Sequence, residues 1–258
     1  VSRRCTGISA RRRISRILWK ASTLTMKTRL IDEHFMRIAI GLACRGHGNV
    51  SPNPSVGCVI VKDGNIVGRG WTQPGGRPHA ETEALGRAGA VAHGATAYVT
   101  LEPCAHRGET PPCAGALIDA GIARVVIGVR DPDPRVDGGG ISMLKAAGIE
   151  VAEDICADAA ADAAIGFLTR IRQGRPVVTA KVATTLDGRI ATASGESRWI
   201  TGSVSRALVH GMRARHDAIL VGARTAIVDD PSLTCRLPGL ESASPVRVVI
   251  DARNELPL

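Results

Sequence analysis

HAETEALGRAGAVAHGATAYVTLEPCAHRGETPPCAGALIDAG, residues 79–121, decides how the first half of the chain is read. A helical pattern follows Pro78, and a proline just before a helical run suits a helix start, where its missing N–H is no loss. ATAYVTLE (95–102) then reads as a strand, and a loop of prolines and charges leads to a second helical pattern at CAGALIDAG (113–121). With the strand ARVVIGV (123–129) beyond it, this alternation is that of an α/β layered domain. Cys104 and Cys113 bound the loop. A disulfide, a shared metal and two unconnected thiols all remain open at this point.

The pattern extends in both directions. Upstream, IDEHFMRIAIGLACRG (31–46) spaces Phe35, Ile38, Ala39 and Leu42 along one helical face. SVGCVIVKDGNIVGRGW (55–71) reads as two strands around an Asp63-Gly64 turn. Downstream come the turn-rich loop DPDPRVDGGG, a helix at ISMLKAAG, a short strand at IEVAED, and one closing helix over 157–174 that ends at Gly174. RPVVTAKVATTLDGRIATASG then restarts a strand pattern around a second Asp-Gly turn, Asp187-Gly188. A helix over 203–215 and strands over 217–223 and 246–251 follow. The expected organisation is a basic extension over 1–25, one domain over 26–174, and a second α/β unit over 175–258 that is short for an independent domain.

Composition narrows the functional classes. Seven cysteines, an odd number scattered through 258 residues, do not form a secreted disulfide framework, so a reducing, cytoplasmic setting is expected. No apolar run reaches the roughly 20 residues of a membrane span. The net charge of +9 suggests nucleic acid until it is located. Arg3, Arg4, Arg11, Arg12, Arg13, Arg16 and Lys20 lie in the first 25 residues with no acid among them, which leaves only +2 for the body. Aromatics at 2% offer little for base stacking, so nucleic acid is not the expected partner. The Arg- and Ser-rich segment 1–25 reads either as a transit peptide or as an extension ahead of a start at Met26. The second reading is preferred because regular apolar patterning begins only after Met26.

His79, Glu81, Cys104 and Cys113 carry the chemistry. Imidazole and thiolate together suit zinc, and three protein ligands leave a position for water, whose pKa the metal brings near neutrality. Glu81 would stay off the metal and shuttle protons. Taken singly, each residue has a plain reading. His and Glu two apart are commonly a solvated first turn, and a free cysteine is commonly a small buried hydrophobe. Jointly, H-A-E at one helix start and P-C…P-P-C at the next favour a catalytic metal. Zinc nucleobase deaminases show H-x-E followed by P-C-x-x-C, whereas eight residues separate the cysteines here.

SPNPSVGCVIV, PHAETEAL, GATAYVTLEPCAHRGETPPC, DPDPRVDGGG and AGIEV closely resemble the deaminase half of the bifunctional riboflavin-biosynthesis RibD family. KVATTLDGRIATASGESRWIT and DAILVGARTAIVDDPSLTCR resemble the start of its reductase half. The resemblance implies a cytidine-deaminase-like three-layer α/β/α domain, then an incomplete dihydrofolate-reductase-like α/β domain. It implies zinc on His79, Cys104 and Cys113, Glu81 as proton carrier and Asn53 against the pyrimidine. The substrate would be a small pyrimidine ribosyl phosphate that loses an exocyclic amine. In the second half NADPH would then reduce the ribosyl chain. The implied cofactor contacts are Ala183, Trp199, Thr225 and Asp229. The implied substrate contacts are Ser197, Arg213, Leu233 and Arg236, in a homodimer or larger homo-oligomer.

Without the resemblance, Arg213 is a solvated helix charge, Arg236 a loop charge, Trp199 a core aromatic, and Asn53 and Asp229 turn residues. No G-x-G-x-x-G follows a strand, so a Rossmann cofactor site is not indicated. The family's reductase half continues beyond Leu258. The chain is therefore expected to deaminate but not reduce, with apolar faces of its second sheet exposed. Two other readings compete. One is a nucleic-acid deaminase; the other is a structural zinc site closed by His106 as fourth ligand.

Overall fold

Asp63 and Gly64 take positive φ values of 50° and 76°, the left-handed pair that a two-residue hairpin turn requires. They join β1 (Gly57–Lys62) to β2 (Asn65–Trp71) as an antiparallel pair. The structure is a computed structural model that describes residues 26–105 and 111–256. The expected basic extension and His106 lie outside the described residues.

β3 (Thr96–Leu101), β4 (Arg124–Val129) and β5 (Glu150–Ala152) complete a five-stranded sheet in the order β2-β1-β3-β4-β5. β1 runs antiparallel to β3, while β3, β4 and β5 are mutually parallel. Side chains alternate across it, as the strand period requires. Cys58, Ile60, Ala97, Val99, Val125 and Ile127 face α2 (Ala80–Ala88), α3 (Cys113–Asp119) and α4 (Gly139–Ala146). Val59, Val61, Tyr98 and Val126 face α1 (26–43) on the opposite side. The product is an α/β/α sandwich.

On α1, Met36, Ala39 and Leu42 are buried while Phe35 and Ile38 pack beside them half-exposed, so the core face centres one position away from the expected stripe. Asp32, one turn before Met36, fixes that rotation. Its carboxylate is buried, accepting two hydrogen bonds from Arg124 at 2.7 and 2.9 Å and one from the Tyr98 hydroxyl at 3.1 Å.

The single helix expected over 157–174 is two, α5 (Ala157–Ala163) and α6 (Ile165–Gln173). Ala164 leaves helical geometry at φ −110°, ψ 16°, and the His47 ring bonds the Ala163 carbonyl that the break exposes, at 2.8 Å. Gly174 ends α6 in the left-handed conformation, as expected.

The second half differs more from expectation. α7 (Ser203–Ala214) leads to β6 (Ala218–Gly222), and β7 (Val246–Ile250) pairs with it in parallel. Between them lies α8 (Ala223–Asp229), which the sequence did not announce. The strands expected over 175–195 are not formed. The chain turns at Thr185–Arg189 and again at Thr192–Glu196, but the ladder that would make strands of these arms is absent among the described residues. Val178, Val182, Leu186 and Ile190 are accordingly exposed. The buried apolar residues described in this half are Ala214, Leu233 and Cys235. No helix among the described residues is long and apolar enough to cross a membrane.

Candidate metal centre and its cleft

His79 is the extended residue just before α2, and Glu81 lies in the first turn. α2 sits directly on β2, because Cβ atoms at Gly68 and Gly70 would collide with the carbonyl oxygens of Ala84 and Ala80. This close approach sets the height of the first turn above the sheet. Cys104 stands three residues beyond the end of β3, and Cys113 opens α3. The two sheet-to-helix junctions thus bring three ligand atoms within 4.8 Å of one another.

Both cysteines are free thiols, which removes the disulfide reading. His79 turns its Nδ1 toward them, 3.3 Å from the Cys113 Sγ and 3.8 Å from the Cys104 Sγ. The Cys113 N–H donates to the Cys104 sulfur at 3.3 Å. Hydrogen bonding from Cys113, and then from His79, pulls the Cys104 thiol down to about 4. Cys113 is held well above the ordinary thiol range, first by its hydrogen bond to Cys104 and then by burial. The bond to Cys104 raises His79. Three donor atoms thus hold protons among themselves that a cation would displace. Two sulfurs and one imidazole nitrogen are a donor set that suits zinc.

Glu81 is only 4% exposed, and burial pushes its carboxyl up to about 7; the Cys104 thiolate adds to the rise and His79 opposes it. His79, Glu81 and Cys104 face a cleft of about 360 Å³, in the range of small-molecule sites. Asn53 lines it too, donating from Nδ2 to the Gly76 carbonyl at 2.9 Å.

Glu102, Asp131, Asp133 and Arg135 line the same cleft and were not singled out in the sequence. The buried Glu102 carboxylate accepts N–H bonds from Ile141 at 3.1 Å, Gly138 at 3.1 Å and Asp131 at 3.3 Å. It thereby ties the loop after β4 to the end of β3. The available signal was the acid directly before P-C, together with the paired acids of DPDP.

The expected residues of the second half separate into two groups. Arg213 and Arg236 come together where the 232–236 loop meets α7, and Leu233 is buried in that loop. Arg213 donates to the Thr234 carbonyl at 3.0 Å while its Nε is buried without a partner. Burial, and then the neighbouring Arg236, lower its pKa. Arg213 is therefore not the fully solvated helix charge that the residues alone suggested. The Arg236 side chain donates to Ser232 at 2.6 Å, and its backbone N–H faces His210 Nδ1 at 3.2 Å. Ala183, Ser197, Trp199, Thr225 and Asp229 line neither this cleft nor the larger one beside it. Trp199 is 73% exposed beneath Arg206, so it is not a core aromatic.

Residues 30–129 match the cytidine and deoxycytidylate deaminase zinc-binding region, and residues 176–258 match the RibD C-terminal domain. The riboflavin biosynthesis protein RibD of Aquifex aeolicus is 49% identical over 230 residues, covering 89% of this chain and 64% of the relative. RibD of Escherichia coli is 49% identical over 236 residues, with 87% and 64% covered. This chain belongs to the RibD family.

RibD of Acinetobacter baumannii superposes with a TM-score of 0.81 at 50% identity, over 89% of this chain and 66% of that one. A Thermotoga maritima structure described as a diaminohydroxyphosphoribosylaminopyrimidine deaminase/5-amino-6-(5-phosphoribosylamino)uracil reductase gives 0.83 at 44% identity, over 88% and 65%. The chain spans less than two thirds of the length of these RibD proteins. Its architecture is a cytidine-deaminase-like domain followed by part of the dihydrofolate-reductase-like RibD C-terminal domain.

Proposed function

We propose that the first half of this chain hydrolyses the exocyclic amine of 2,5-diamino-6-(5-phosphoribosylamino)pyrimidin-4(3H)-one in riboflavin biosynthesis. The products are 5-amino-6-(5-phosphoribosylamino)uracil and ammonia: the ring C–N bond breaks, and water supplies the oxygen of the new carbonyl. The observation that carries this reading is a buried carboxyl, Glu81, poised at about 7 beside a His/Cys/Cys cluster on a small-molecule cleft. His79, Cys104 and Cys113 are the residues that would hold zinc. Bound there, the ion supplies a Lewis acid that makes a water nucleophilic near neutral pH.

The remaining work falls to the chain's own groups. A carboxyl near neutrality both accepts a proton and returns one, so Glu81 takes a proton from water and delivers it to the departing nitrogen. Asn53, held by the Gly76 carbonyl, orients the pyrimidine edge. Arg77 and Arg170 give the cleft a cationic side for the anionic sugar phosphate. In the second half, Arg213 and Arg236 are assigned to a ribosyl phosphate, which would meet the buried, unpartnered Nε of Arg213. Trp199, Thr225 and Asp229, expected to hold NADPH, are exposed, Ala183 beside them in that expectation is half-buried, and all four lie outside both described clefts.

The test is ammonia release from the diaminopyrimidinone ribosyl phosphate by the zinc-loaded chain, with Glu81→Gln alongside. Release that falls by about 100-fold or more in the variant, with zinc retained, is the expected result. A folded, zinc-loaded chain that releases no ammonia overturns the assignment.

A further inference from the structure

A second, larger cleft of about 770 Å³ lies where the two halves meet, and it adjoins the first. Pro52, Asn53, Phe167 and Arg170 line both. Its walls meet closely: the Gly48 backbone, at φ 81°, approaches the Ala214 carbonyl so tightly that a Cβ would not fit. The His216 ring meets the hydroxyl of Thr179, another lining residue, at 3.1 Å.

The cleft is strongly cationic. Arg170, Arg175 and Arg215 line it together with His47 and His216, against Asp217 as the acid. Each guanidinium has a backbone carbonyl as partner: Pro52 for Arg170 at 2.8 Å, Pro176 for Arg175 at 3.4 Å and Gly211 for Arg215 at 3.2 Å. Ion pairs found among the described residues involve none of these three arginines. Five donors per guanidinium leave most of their N–H groups for an oxyanion. Three exposed arginines border one concavity, whose summed positive field favours an anion.

We propose that this junction cleft is a second binding site, for a pentose phosphomonoester, with its phosphate among Arg170, Arg175 and Arg215. The choice of a sugar phosphate over other oxyanions rests on the substrate proposed above. Arg170, common to both clefts, places the junction site next to the deaminase cleft. A phosphoribosyl product can therefore move its phosphate from one to the other before leaving.

Isothermal titration of the full zinc-loaded chain with ribose 5-phosphate, with ribose and inorganic phosphate as comparisons, tests the site. Binding of ribose 5-phosphate that exceeds both comparisons and weakens steeply with salt is expected. Arg215→Glu should weaken it about tenfold or more, and Arg215→Lys should restore much of it. Arg175→Glu, in an exposed segment, gives the same reading should Arg215→Glu fail to fold. No binding, equal binding of ribose, inorganic phosphate binding as tightly as ribose 5-phosphate, or undiminished binding by folded charge-reversed variants each overturns the proposal. Ammonia release on the same preparation separates the two readings. Its absence with ribose 5-phosphate binding intact removes the deaminase assignment and leaves the anion site standing.

Discussion

The backbone N–H of Cys113, the first residue of α3, points at the Sγ of Cys104 from 3.3 Å. The first turn of α3 therefore fixes one sulfur with the backbone of the other cysteine, and the two proposed zinc ligands act as a unit. Cys104→Ala removes a proposed ligand and strands the Cys113 N–H at once. Zinc affinity should fall by more than the roughly 10–100-fold typical of losing an outer partner. Competition against a chromophoric chelator measures this, with circular dichroism checking the fold. Full zinc retention by Cys104→Ala would place the metal elsewhere.

Glu102 offers a prediction independent of the metal. Its buried carboxylate accepts from Asp131, Gly138 and Ile141. Glu102→Ala leaves these three N–H groups facing a gap. With about 1–3 kcal/mol for each unmet buried donor, partly relieved by entering water, a loss of about 3–5 kcal/mol is expected. Glu102→Gln keeps one acceptor oxygen and should fall between. Urea midpoints on the three proteins give the ranking. An alanine variant within about 1 kcal/mol of the parent would mean that the 131–141 loop is held by other contacts.

Why the sequence showed the first half so well, and the remainder less so, follows from where the information lies. H-A-E and the two cysteines sit at helix starts next to a strand end, so neighbours in sequence are neighbours in the site. β1, β3 and β4 are legible because both of their faces are buried, which makes each a nearly continuous apolar run, and β2 because the Asp63-Gly64 turn announces it. Glu102 is different, since its partners return from 29 to 39 residues downstream. The break at Ala164 has no glycine or proline to mark it, and His47 reaches it from 116 residues away. Over 175–195 the alternation is present and the ladder is not. A strand is a property of its neighbours as much as of its own residues.

Asp131 supplies a prediction with a definite sign. Burial, opposed by the N–H of Asp133 and aided by the charges of Asp133 and Glu102, raises its carboxyl from 3.8 to about 6, and Arg135 lowers it in part. A raised carboxyl holds its proton in the folded state after the unfolded chain has released it. Stability from this group is therefore highest below about 3.8 and declines as pH rises toward about 6, above which it stays low. The full decline is roughly 2–3 kcal/mol before solvent screening. Asp131→Asn keeps the oxygen that accepts the Asp133 N–H at 2.8 Å but carries no proton to lose. Urea denaturation across this window should show the parent losing stability relative to Asp131→Asn as pH rises. The two curves should then run parallel above about pH 7. Parallel curves throughout would mean that water reaches Asp131 and its burial is not felt as a charge penalty.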